Sequence, residues 1–146
     1  MSTKPRHAID ESTFSPWWAI VTFVLLGVLV WFLYTPSLSS EPGIFNRIAD
    51  YISSFIPGLS LNDVEGVDKI VHLTGFALVA ASGLLAGWKA RWVIGLSVLH
   101  AGLSEVLQKF VIPGRTGDVF DALADIVGIL IAWIIVAILW TRKEPS

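Results

Sequence analysis

Residues 119–140 read VFDALADIVGILIAWIIVAILW. From Ile126 to Trp140 no side chain is charged, while Asp121 and Asp125 stand four residues apart in the first turns. A run of this length and polarity crosses about 30 Å of hydrocarbon as a helix, and it leaves two carboxylates near one membrane face. A bilayer is therefore the expected solvent for this segment.

Three more runs of the same kind lie upstream, so the expected spans are 17–34, 70–88, 92–110 and 119–140. Trp17, Trp18, Tyr34, Trp88, Trp92 and Trp140 stand at their boundaries, where amphipathic rings prefer the headgroup level. The whole chain agrees: of 146 residues, 54% are hydrophobic and only 15% charged, far from the averages of a soluble domain. The expected fold is all-α, a polytopic bundle of four transmembrane helices with one amphipathic interfacial helix. Residues 17–140 form its domain, between tails at 1–16 and 141–146. Ser37-Leu38-Ser39 imitates a signal-peptide cleavage site. The first apolar stretch is longer than a signal's usual core, however, and Asp10 and Glu11 weaken its positive flank, so an uncleaved anchor is expected.

Charge sets the orientation. Lys4, Arg6, Lys89, Arg91, Arg142 and Lys143 share one side if the spans alternate, against Arg47, Lys69, Lys109 and Arg115 on the other. The positive-inside rule then puts both termini in the cytoplasm. In the outer loop, residues 35–69, Ile44, Phe45, Ile48, Ile52, Phe55 and Ile56 recur at helical spacing between Pro42 and Pro57-Gly58. That pattern predicts a short helix lying in the interface, either packed on the bundle or acting as a lid.

Composition also excludes whole classes of function. A net charge of -2 offers no basic surplus for nucleic acid, and the absence of cysteine removes disulfides, thiolate nucleophiles and Cys-ligated metals. The chemistry that remains belongs to oxygen and imidazole groups, and no organic cofactor is indicated.

Those groups are not scattered. Asp68, Lys69 and His72 open the second span, Glu105 and Gln108 close the third, Arg115 and Asp118 lie in the turn after it, and Asp121 and Asp125 open the fourth. With alternating spans all nine meet at the extracytoplasmic end. His72, Glu105 and Asp125 sit at depths of roughly 3, 8 and 9 Å along their helices. Ser97, Ala101, Ser104 and Gln108 extend a polar or small stripe inward along the third span. His100 borders this stripe near the midplane and is expected to make an interhelical hydrogen bond rather than join the site.

The runs Asp68-Lys69-x-x-His72, Glu105-x-x-Gln108, Pro113-Gly114-Arg115 and Asp118-x-x-Asp121-x-x-x-Asp125-x-x-Gly128 resemble the signature of the VanZ-like family of small bacterial membrane proteins. That family is named after a protein associated with low-level resistance to the glycopeptide teicoplanin. The resemblance covers roughly residues 68–140 and implies a role in the bacterial cell envelope linked to glycopeptide susceptibility. Where the family usually has Asn, this chain has Asp125, which adds a negative charge.

Three roles suit the cluster. In the first, Arg115 neutralises Asp118, Asp121 or Glu105, and the cluster holds helices together. In the second, Arg115, Lys69 and His72 contact an anionic or glycosylated ligand, such as the phosphate of a lipid-linked cell-wall precursor or a glycopeptide. In the third, His72, Glu105, Asp121 and Asp125 hold a divalent metal for hydrolysis or phosphoryl transfer on a lipid-linked substrate. Membrane lipids are partners in every case, and an oligomer is compatible with all three.

Overall fold

The computed structural model describes residues 14–36, 47, 50, 51, 53–55 and 67–141, with the side chains of residues 67 and 68 excluded. Residues 1–13 and 142–146 of the expected tails, most of the amphipathic segment (Ile44, Phe45, Ile48, Ile52 and Ile56 among it) and the Asp68 side chain lie outside the described residues, while Pro16 and Thr141, expected in the tails, are helical. Among the described residues there are four long helices: α1 (Pro16–Tyr34), α2 (Val67–Leu85), α3 (Ala90–Phe110) and α4 (Val119–Thr141). No strand occurs among the described residues.

Local chemistry explains the helix ends. α1 begins at Pro16, whose fixed φ and missing N–H suit the first helical position, and it stops at extended Thr35 ahead of Pro36. α4 begins after Asp118, whose Oδ1 accepts the Phe120 N–H at 2.9 Å as a helix cap. The second helix departs from expectation: it ends at Leu85 instead of Trp88 because Gly87 takes a φ of 87° and turns the chain. Trp88 lies beyond that turn, with its ring packed edge-on against Phe23 of α1 at 5.7 Å. α2 also starts three residues earlier than the expected span, which places Lys69 within its first turn.

α2 is the centre of the bundle. It packs most extensively on α4, then on α1, and more lightly on α3, while α1 and α3 barely touch. Small residues set these distances. A Cβ at Gly128 would overlap the Leu73 carbonyl, so the α2 and α4 backbones meet directly there, and one at Gly75 would come within 2.9 Å of Leu29 on α1. Phe76, Leu33, Leu84 and Ile129 fill the core between them.

The outer faces are apolar. In α3 the buried positions include Ser97, Ser104, Glu105 and Gln108, whereas Leu96, Leu99, Leu103 and Val106 are exposed. This is the reverse of a surface helix in water, and it realises the polar stripe expected from the sequence. Pro16–Tyr34 and Val119–Thr141 are long and apolar enough to cross a membrane, yet only 22% and 28% of their most apolar windows are buried inside the bundle. A soluble protein's core helix would be mostly buried. The apolar stretch of α2, Lys69–Leu85, is shorter.

Candidate functional site

Antiparallel order brings the C-terminal ends of α1 and α3 together with the N-terminal ends of α2 and α4. His72, Glu105, Gln108, Asp121 and Asp125 are all buried at that end. The loop between α3 and α4 folds tightly over them. Gly114 turns it with a φ of 74°, and a Cβ at Gly117 would collide with the Glu105 carbonyl oxygen.

Lys69 does most of the pairing. Its Nζ donates to Asp118 Oδ2 and to Asp121 Oδ1, each at 3.1 Å, so one half-exposed ammonium ties α2 to the cap and first turn of α4. The Phe120 N–H and the Lys69 ammonium hold the Asp118 carboxyl below its ordinary value. The Asp118 N–H in turn donates to Glu105 Oε2 at 2.7 Å, joining the loop to α3.

His72 and Asp125 meet across the α2–α4 seam. The imidazole Nδ1 lies 3.2 Å from Asp125 Oδ1 and 3.4 Å from Oδ2, with hydrogen-bond geometry only to Oδ2. Asp125 Oδ1 and Glu105 Oε1 are both buried and have no hydrogen-bond partner. One ligand atom from each of His72, Glu105 and Asp125 lies within 4.8 Å of the other two. Asp121 is the fourth residue of the set that would hold a metal in the third role read from the sequence. It is instead engaged by Lys69 and lies outside this convergent group.

Arg115 departs furthest from expectation. It does not neutralise Asp118, Asp121 or Glu105 through an ion pair among the described residues. Nη2 donates to the Phe32 carbonyl at 2.8 Å and Nε to the Thr35 carbonyl at 3.3 Å, with the guanidinium 5.6 Å above the Phe32 ring. The last turn of α1 has no basic residue of its own and ends with unsatisfied carbonyls, so a cation from another loop serves it. Burial lowers the Arg115 value and the Glu105 charge opposes that shift. Gln108 plays a parallel part, donating its Nε2 to the Leu33 carbonyl at 3.3 Å.

The end of α1 is thus a component that motif reading missed. Its only advance signal was a helix C-terminus lacking a basic last turn. His100 behaves as expected: its Nε2 lies 3.1 Å from the Tyr34 hydroxyl, an interhelical hydrogen bond. A separate apolar cavity of about 730 Å³ opens between α1 and α3, lined by Thr22, Leu26, Phe76, Trp88, Ser97 and His100 among others. It lies away from the carboxylates.

Among curated proteins and solved structures no match is found. A family model described as VanZ/LLP1 matches residues 18–140, which include all four helices apart from the ends of α1 and α4. That range also holds every residue of the polar end described above, and the chain therefore belongs to the VanZ/LLP1 family.

Proposed function

We propose that this VanZ-family chain is a multi-pass protein of the bacterial plasma membrane, with four spanning helices and both termini in the cytoplasm. Its extracytoplasmic polar end recognises an anionic or glycosylated envelope ligand. One observation carries this reading: buried charged groups from three helices collect at one end of a bundle whose helices turn large apolar side chains outward. Charged groups inside a membrane protein are costly and mark sites of function by default. The inverted polarity of α3 supports its assignment to the bilayer alongside α1 and α4.

Arg115 and Gln108, turned onto α1, serve the architecture. Ligand contact then falls to Lys69, whose side chain is 38% exposed, and to the carboxylates beside it. A phosphate at the membrane surface suits the ammonium, and sugar hydroxyls suit carboxylate acceptors. The phosphate-bearing end of a lipid-linked wall precursor combines both, which also accounts for a link to glycopeptide susceptibility.

The test is a thermal melt of the purified protein in detergent. A polyprenyl diphosphate is expected to raise the melting temperature by mass action, whereas a zwitterionic phosphatidylcholine of similar chain content leaves it unchanged. Lys69→Ala should abolish the difference. Equal responses to both lipids would contradict the reading.

A further inference from the structure

We propose that His72, Glu105 and Asp125 bind one divalent transition-metal ion of the zinc or manganese class at the polar end of the α2–α4 seam. Each residue comes from a different helix, and one ligand atom from each lies within 4.8 Å of the other two. All three are more than nine-tenths buried, with 4%, 8% and 0% of their surfaces exposed.

Two of the carboxylate oxygens, Glu105 Oε1 and Asp125 Oδ1, have no hydrogen-bond partner. A buried carboxylate oxygen left in this state is costly, and native proteins satisfy such atoms with a proton donor, a water or an ion. The neighbouring cations are already committed, Lys69 to Asp118 and Asp121, and Arg115 to the α1 carbonyls. Two carboxylates consequently face one imidazole, and a divalent cation answers the imbalance.

Geometry and donor type select the class of ion. Ligands about 2.1 Å from a tetrahedral zinc lie roughly 3.4 Å from one another. The 3.2 Å between His72 Nδ1 and Asp125 Oδ1 matches that spacing. The other separations are at most 4.8 Å, so reaching the same spacing needs the ligand atoms to close by up to about 1.4 Å. One imidazole with two carboxylates suits zinc or manganese, whereas calcium and magnesium prefer six or more oxygens. Three protein ligands leave coordination positions open, through which an oxygen of an external ligand can join the ion.

This inference stands apart from the envelope-ligand reading, because it is tested on the purified full chain with metal alone. Chelator-stripped protein is titrated with Zn²⁺ and Mn²⁺ in turn by calorimetry, and melted with and without each ion. The expected result is one ion per chain and a higher melting temperature that chelator reverses.

Glu105→Gln keeps the shape and removes a charge. Without metal it should melt at or above the unsubstituted protein, and with metal it should bind at least tenfold more weakly. Asp50→Asn, an exposed carboxylate outside the convergent group, should bind as the unsubstituted protein does. Cobalt provides an optical readout, a visible absorption band that Glu105→Gln or Asp125→Asn alters. A folded, monodisperse protein that binds neither zinc nor manganese would overturn the proposal, as would Glu105→Gln binding with unchanged affinity.

Discussion

The α2–α4 seam and the α1–α3 groove are built from the same kinds of apolar helix, yet one closes and the other stays open. At the seam Gly128 lets the α4 backbone rest on the Leu73 carbonyl, and this close approach carries His72 to within 3.2 Å of Asp125. Between α1 and α3 a cavity of about 730 Å³ remains; His100 lines it at the end toward the polar cluster and hydrogen-bonds Tyr34. In a bilayer, apolar burial does little to drive helices together, because lipid tails are as apolar as leucine. Close packing then depends on small residues and polar pairs. The seam has both, whereas α1 and α3 meet through two hydrogen bonds near the polar end, His100 to Tyr34 and Gln108 to the Leu33 carbonyl.

The largest effect should follow from forcing the seam apart. Gly128→Leu drives a branched side chain into the α2 backbone. We expect a loss of about 3 kcal/mol or more, seen as collapse of the monodisperse fraction in size-exclusion chromatography. Gly102→Ala is the control, since nothing lies within 4 Å of a Cβ there, and it should leave stability unchanged or raise it by up to about 1 kcal/mol, because a helical glycine gives up more backbone freedom than alanine.

A smaller effect is expected where α1 is tied to the polar end. Arg115→Ala leaves the Phe32 and Thr35 carbonyls without their charged donor and should cost about 2–3 kcal/mol in the denaturation midpoint analysis. Arg115→Lys should recover only part of this, because an ammonium lacks the planar fork that reaches both carbonyls. Full recovery with lysine would point to charge alone.

The groove gives the smallest change. Tyr34→Phe removes the hydroxyl that meets His100 and should cost about 1 kcal/mol or less. A loss as large as that of Arg115→Ala would show that α1 and α3 depend on this contact far more than their sparse packing suggests.

Much of this architecture was legible in the sequence. The long apolar runs marked α1 and α4 almost to the residue, and the Ser97, Ala101, Ser104 and Gln108 stripe identified the inward face of α3. Proximity at the polar end also followed from helix order, because alternating helices place those residue numbers at one height. Pairing did not follow. Lys69 rather than Arg115 neutralises Asp118 and Asp121, and the partners of Arg115 are backbone carbonyls, which look the same in any sequence. The end of α2 was misplaced for a related reason: Ala86-Gly87-Trp88 continues an apolar run, and only the positive φ of Gly87 reveals the turn.

In the proposed topology the polar end of the bundle faces away from the cytoplasm, and the absence of native cysteine allows a direct measurement. Thr116 lies exposed in the loop over the polar end, and Lys89 is exposed in the turn at the opposite end. Single Thr116→Cys and Lys89→Cys variants are treated with a membrane-impermeant maleimide in intact cells and again after permeabilisation. Thr116→Cys should be labelled in intact cells and Lys89→Cys only after permeabilisation. The reverse pattern, or labelling of both in intact cells, would contradict that topology.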